Sequence, residues 1–253
     1  MHLQPLLDAL KPLAQLAGQR IMEVYATDLQ AIAKADGSPV TLADQVADAV
    51  IVQGLAKIAP HIAVISEENA ASHALAAPKT YFLVDPLDGT KEFLKRDGKG
   101  AFTVNIALIQ DGTPVAGVVY APALGRMFAG AKAHGAFETT GGVTRRIACK
   151  QIDHSCLVAV ASESHRDAQT NAWLTQHQVV RTKSIGSSLK FCLLAAAQAD
   201  VYPRFSPTME WDTAAGDAVL RAAGGMVSHP SGEALTYGKP GYRNGSFVAW
   251  GRR

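Results

Sequence analysis

Cysteine is scarce in this 253-residue chain, and the three present (Cys149, Cys156 and Cys192) are odd in number and never spaced as a CxxC pair. That argues against a disulfide framework or a thiolate zinc site and favours a reducing compartment. Neither sign of charge is in excess: 24 basic against 22 acidic residues leave a formal charge of +2. Such a balance is too even for a nucleic-acid coat or an electrostatic membrane surface. An anionic ligand must therefore be drawn in locally, by a few placed cations or by metal ions. No apolar run approaches the length of a membrane span. Residues 1–20 mix Asp8, Lys11 and Arg20 with leucines, without a signal peptide's apolar stretch or small-residue cleavage site. The expectation is a soluble cytoplasmic protein, with peripheral association at the inner membrane face left open. Internal repeats and low-complexity tracts are also missing. What remains is an ordinary globular composition, 48% apolar and 18% charged, sufficient for one large domain or two fused halves.

Leu3, Leu6, Leu7, Leu10, Leu13, Ala17, Ile21 and Met22 recur at helical steps, with Pro12 expected to kink or interrupt the helix. Residues 36–39 read as a turn, and Thr41 as the cap of a second amphipathic helix through Leu42, Val46, Val50, Leu55 and Ile58. Short apolar runs at 62–65 and 81–84 read as buried strands. From 102 the pattern changes to hairpins, with strands at 102–110, 115–120 and 126–130. Gly141-Gly142 and the polar stretch to Lys150 mark a seam, dividing the chain into 1–145 and 146–253. Beyond it, strands at 157–161, 179–183 and 199–205 alternate with helices at 167–177, 187–198 and 212–223. The expected class is α/β, with an α+β first half and an α/β second half.

The acids stand at the ends of these runs. In Val84-Asp85-Pro86-Leu87-Asp88-Gly89-Thr90 a buried strand delivers Asp85, and Pro86 and Gly89 shape a turn that brings Asp88 toward the same point. The Leu87 carbonyl between them can turn the same way, and hard divalent cations favour oxygen ligands of this kind. A short helix from Thr90 would leave free N–H groups for a phosphate. Glu67 and Glu68 follow the strand at 62–65, where exposed loop charge is the plainer alternative. Asp212 opens the small-residue segment Trp211-Asp212-Thr213-Ala214-Ala215-Gly216 and would serve equally as a helix cap. Asp44 closes a capping-box-like Thr41-Leu42-Ala43-Asp44, so a structural role competes with a catalytic one. His61, His73, His134 and His177 have no partner at metal spacing and read as surface residues.

In this order, Glu67, the 85–90 run and Trp211-Asp212 resemble the signature of the inositol monophosphatase superfamily. Within it, the extension Lys91-Glu92-Phe93, the segment Gly186-Ser187-Ser188-Leu189-Lys190-Phe191 and Tyr202-Pro203-Arg204-Phe205 are similar to its 3′(2′),5′-bisphosphate nucleotidases. The resemblance covers nearly the whole chain. It implies a layered αβαβα sandwich and a hydrolase that uses two or three Mg²⁺ ions, with Mn²⁺ as a substitute. Glu67, Asp85, Asp88, Asp212 and the Leu87 carbonyl match metal ligands. Asp44 and Thr90 match the pair that activates water, and Gly89 with Thr90 matches the phosphate cradle. Glu67, Leu87 and Asp212 also match substrate-binding positions, while His165, Ser187, Lys190 and Arg204 match contacts to the rest of a nucleotide bisphosphate. The sequence departs from the family at Glu163, where a basic or small residue is expected, and Glu210 carries no assigned role. An inositol or sugar phosphatase is the alternative, and a catalytically silent module on the same fold the remoter one. The oligomeric state stays open, a homodimer included.

Overall fold

The computed structural model describes residues 2–26, 32–33, 39–40, 42–74, 76–162 and 166–252. Helix α1 (Leu3–Tyr25) buries Leu6, Leu7, Leu10, Leu13 and Ile21 along the face set by their spacing. It runs unbroken through Pro12, against the interruption expected there. Pro12 and Asp8, whose carbonyl loses its donor, are both exposed, so water can satisfy that carbonyl. β1 (Ile32–Ala33) and β2 (Pro39–Val40) pair antiparallel ahead of α2 (Leu42–Ile58), which packs beside α1. Most of the turn at 36–39, and the Thr41 cap, lie outside the described residues.

A seven-stranded sheet follows: β3 (Ala63–Ser66), β4 (Thr80–Asp88), β5 (Thr103–Gln110), β6 (Thr113–Ala121), β7 (Arg126–Ala131), β8 (Gly135–Thr140) and β9 (Val143–Ile147), in that spatial order. β3 and β4 are parallel, and the other ladders are antiparallel. Short helices α3 (Ala70–His73) and α4 (Thr90–Lys95) lie in the connections on either side of β4. Gly141-Gly142, at the start of the stretch read as a seam, forms the turn between β8 and β9. Both glycines have positive φ, 57° and 79°, as a tight hairpin turn requires. β9 escaped notice because it is a polar edge strand, exposed at every residue but Ile147.

The second half contributes β10 (Val158–Ser162), α5 (Ala168–Gln176), β11 (Arg181–Ile185), α6 (Leu189–Ala195), β12 (Val201–Arg204), β13 (Thr208–Met209), α7 (Trp211–Ala222), β14 (Met226–Ser228), β15 (Arg243–Asn244) and β16 (Phe247–Trp250). Its main sheet has the order β11-β10-β12-β16-β14. Three apolar cores stack the layers. Leu10 and Ile51 of α1 and α2 meet Phe82, Ile106 and Val118 on one face of the first sheet. On its other face Leu83, Ala107 and Val119 meet Phe191, Ala215 and Val219 of α6 and α7, which also cover Tyr202 and Phe247 of the second sheet. Ala159, Val201 and Trp250 bury the outer face of that sheet against Leu174 of α5. The result is the αβαβα sandwich, with α6 and α7 as its central layer. Side chains alternate along β4: Phe82 and Val84 enter the outer core, whereas Tyr81 and Leu83 enter the central one. Asp85 continues the second row and so faces the central helices. No described helix is long and apolar enough to cross a membrane.

Candidate active site

The site is built where β4 loses its regular register. Asp85 pairs with Asn105 but Asp88 with Thr103, so one extra residue is accommodated between them as a bulge. A bulge re-aims side chains, and here it turns two aspartates toward one region. The Leu87 N–H donates to Asp85 Oδ1 at 3.0 Å, which fixes that carboxylate and the turn together. Gly89 then adopts φ of 93° and α4 begins at Thr90, whose hydroxyl donates to the Leu87 carbonyl at 3.4 Å.

Two further elements deliver acids to the same place. Glu67 follows β3, its N–H donating to the Val84 carbonyl at 3.1 Å. Asp212 lies in the first turn of α7 and accepts the Met209 N–H at 2.9 Å. Carboxylate oxygens of Glu67, Asp85 and Asp212 lie within 4.8 Å of one another. Oxygens bound to opposite sides of a hard cation at about 2.0–2.6 Å would stand about 4–5 Å apart, so this spacing suits such an ion. The donors are all oxygens, without sulfur or imidazole, which fits a hard divalent cation.

Gathering this many carboxylates has an electrostatic cost. Asp85 is held well above the usual carboxylate range by burial, then by the charges of Glu67, Asp88, Asp212 and Asp44. Burial likewise raises Asp212, reinforced by Asp88 and Glu67. Burial pushes Asp88 up to about 6, against the Lys190 charge and a hydrogen bond from the Ser188 N–H. Asp44, in the first turn of α2, is buried as well. A bound divalent cation would reverse the sign of this environment.

A cleft of about 250 Å³ opens over the acids. Its lining includes Glu67, Asp88, Gly89, Thr90, Ser187, Lys190, Arg204 and Asp212. Lys190 is buried, and burial pushes it down to about 8, partly offset by Asp88. Its ammonium donates to the Ser187 carbonyl at 2.5 Å and the Ile185 carbonyl at 3.3 Å, and it lies 5.2 Å from the Tyr202 ring centre. Ser187 has φ of 53°, which starts α6 two residues later than its sequence suggests, and its hydroxyl accepts the Leu189 N–H at 3.3 Å. Arg204 donates to the Ser206 and Pro207 carbonyls at 3.2 and 3.1 Å.

Of the sequence-selected residues, Glu67, Asp88, Gly89, Thr90, Ser187, Lys190, Arg204 and Asp212 line the cleft, Asp85 joins Glu67 and Asp212, the Leu87 carbonyl accepts from Thr90, and the Asp44 charge acts on Asp85; His165 and its neighbour Glu163 fall outside the described residues. Several supporting residues escaped the sequence reading. Ser188 donates its N–H to Asp88 Oδ2 at 2.5 Å and its hydroxyl to Asn105 Oδ1 at 2.6 Å, with Thr103 Oγ1 2.9 Å away. The Ser187-Ser188 pair signalled something, but not which serine turns toward Asp88. Glu210 is fully buried and accepts the Gly238 and Lys239 N–H groups at 2.7 and 3.0 Å and the Lys239 ammonium at 2.6 Å. It ties the start of α7 to the distant 238–239 loop, a contact with no local signal. Two histidines are more than surface residues. His73 and His177 are half-buried, and each stacks on a tryptophan, with ring centres 4.6 Å from Trp211 and 3.7 Å from Trp173.

Comparison with known proteins gives this geometry its relatives. The 3′(2′),5′-bisphosphate nucleotidase CysQ of Escherichia coli strain K12 is 47% identical over 235 residues, which span 92% of this chain and 94% of that protein. The crystal structure of CysQ from Bacteroides thetaiotaomicron, a bacterial member of the inositol monophosphatase family, superimposes with a TM-score of 0.87. It is 37% identical, and the match covers 100% of this chain and 99% of that one. An inositol monophosphatase from Anabaena (Nostoc) sp. PCC 7120 shares the fold at a TM-score of 0.76 and 24% identity, over 99% of this chain and 91% of its own. The model of the inositol monophosphatase family matches residues 2–251, and the chain belongs to that family.

Proposed function

We propose that this protein is a Mg²⁺-dependent phosphomonoesterase that hydrolyses 3′(2′),5′-bisphosphate nucleotides, such as 3′-phosphoadenosine 5′-phosphate to AMP and phosphate. The observation that carries this reading is the mixed lining of the cleft. The carboxylates of Glu67, Asp88 and Asp212 share it with Ser187, Lys190 and Arg204. Hydrolysis of a plain monoester needs the acids alone; a second, uncleaved phosphate gives the cations a purpose. Near-half identity to a bisphosphate nucleotidase points the same way.

Glu67, Asp85, Asp88, Asp212 and the Leu87 carbonyl would hold two or three ions. When bound, Mg²⁺ neutralises the phosphate and makes a water acidic enough to attack at neutral pH. Around it the chain's own groups orient and move protons. The first turn of α4, after Gly89, receives the scissile phosphate. Thr90 Oγ1 and Asp44 draw off the proton of the attacking water. Lys190 and Arg204 hold the other phosphate, Arg204 through its planar fork. The water oxygen bonds to phosphorus as the nucleotide oxygen departs in line and is protonated, giving alcohol and inorganic phosphate. Asp44 and the 67–88 acids come from the first half of the chain, whereas Asp212 and both cations come from the second.

Phosphate release from 3′-phosphoadenosine 5′-phosphate, inositol 1-phosphate and fructose 1,6-bisphosphate, each with and without Mg²⁺, tests the reading. Expected is Mg²⁺-dependent turnover, with the nucleotide favoured in kcat/KM by about tenfold or more, equivalent to about 1.4 kcal/mol. Preference for inositol 1-phosphate or the sugar would replace the nucleotidase assignment. No turnover on any substrate would indicate a silent module.

A further inference from the structure

The turn that presents Glu67 is braced from outside the carboxylate group. Ser66, the last residue of β3, accepts at its carbonyl from the Asn69 N–H at 3.1 Å, and His73 Nε2 lies 2.7 Å from the same oxygen. A carbonyl only accepts, so the proton in the second contact belongs to Nε2. The Ser66 hydroxyl donates to Asp48 at 2.5 Å, and its N–H meets Ser72 Oγ at 3.3 Å. His73 has a second attachment. Its ring lies over the Trp211 indole, with centres 4.6 Å apart and planes 27° from parallel. Trp211 is buried at the first position of α7.

Each end of this strut adjoins an acid of the cluster: Ser66 precedes Glu67, and Trp211 precedes Asp212. The two carboxylates come from opposite halves of the chain. Asp85 needs no such help, because it sits within a fully buried stretch of β4. Glu67 lies on a half-buried turn beyond β3, the edge strand of its sheet, where its N–H is tied to the Val84 carbonyl. Like charges this close repel, so an unbraced turn would swing Glu67 away from Asp212.

We infer that His73 is a positioning residue that fixes the separation of Glu67 and Asp212 and thereby sets the affinity of the cation site. The inference rests on the reading of the acid cluster as a divalent-cation site. Loss of a group that orients a metal ligand commonly weakens metal binding by about 10–100-fold. His73→Ala should fall in that range. His73→Gln, which retains a donor for Ser66, and His73→Phe, which retains the stack on Trp211, should lie between it and the native protein.

The test uses the full chain, stripped with EDTA and titrated with Mn²⁺ calorimetrically without substrate, alongside metal-free melting curves. The expected result is a Kd for Mn²⁺ raised about tenfold or more in His73→Ala, with partial recovery in the Gln or Phe variant. kcat at saturating Mn²⁺ should stay near the native value. A lowered metal-free Tm with unchanged Mn²⁺ affinity would assign His73 to the fold alone and overturn the inference. If His73→Ala does not fold, native affinity in both other variants overturns it equally. Failure of the native protein to bind Mn²⁺ would remove the cation-site reading itself, an outcome separate from the other two.

Discussion

Replacing Asp88 by Asn should stabilise the metal-free protein while destroying its activity. Asp88 is half-buried at the cleft, and loss of solvation pushes its carboxyl up to about 6 from an ordinary 3.8, against the pull of the Lys190 charge. The sign follows from proton linkage. Because the folded carboxyl binds its proton more tightly than the unfolded one, its contribution to stability is fully present below about pH 3.8. That contribution is lost as pH rises toward 6. At pH 7.5 the loss is about 3 kcal/mol, from about 1.4 kcal/mol per tenfold change in proton affinity. Asn has nearly the same shape and keeps an oxygen to accept the Ser188 N–H at this position. It carries no charge to desolvate. In EDTA at pH 7.5, Asp88→Asn should therefore raise Tm by about 6–12 °C, taking about 2–4 °C per kcal/mol for a chain of this size. Near pH 4 the two proteins should melt almost together. Saturating Mg²⁺ should reverse the order at pH 7.5, since the native cluster gains its counter-charge and the variant loses a ligand. The assay is differential scanning calorimetry on both proteins at pH 4, 5.5 and 7.5, with EDTA or Mg²⁺. A variant that melts below the native protein in EDTA at pH 7.5, or a difference that does not change with pH, would refute the reasoning.

Three other substitutions probe separate parts of the site. Asp44→Asn should keep near-native stability, because Asn can take over a capping role, and lose about 10²-fold or more in kcat, as measured by phosphate release. Lys190→Ala should raise KM for 3′-phosphoadenosine 5′-phosphate about tenfold and change hydrolysis of 3′-AMP much less. Equal losses would mean that its hydrogen bonds to the Ser187 and Ile185 carbonyls, and not phosphate binding, are its main contribution. Gly186→Ala should cost about 1–3 kcal/mol in chemical unfolding, because the added methyl would meet Glu92 Cγ at 2.6 Å and the Ala101 carbonyl at 3.0 Å.

The parts of the fold legible in the sequence were those whose pattern is local. The α1 leucines, the apolar core of β4 and the hairpins from β5 to β7 each carry their own periodicity. Asp85, Asp88 and Asp212 stood out because turn residues and short apolar runs flank them. β9 was hidden because an exposed edge strand has no apolar alternation, and Pro12 misled because its cost depends on which side faces water. Ser188, Glu210 and His73 belong to a third kind: their partners are distant in the chain, at Asp88, Gly238 and Trp211. Nothing in their immediate neighbourhood announces such contacts. The family resemblance supplied roles for the acids but not for these supports.

The hydrogen bond from Ser188 to Asp88 joins residues 100 positions apart. During synthesis, at about 5–20 residues per second, Asp88 therefore emerges several seconds before its partner. Asp212 comes later still. For that interval the nascent first half carries Glu67, Asp85 and Asp88 without the helix that completes their cluster. If the cluster holds a cation, its full set of acids exists only once α7 has been made. A chain stalled or truncated before α7 would hold an unfinished and mutually repelling set of acids. Metal retention could thus serve as a readout of completed assembly.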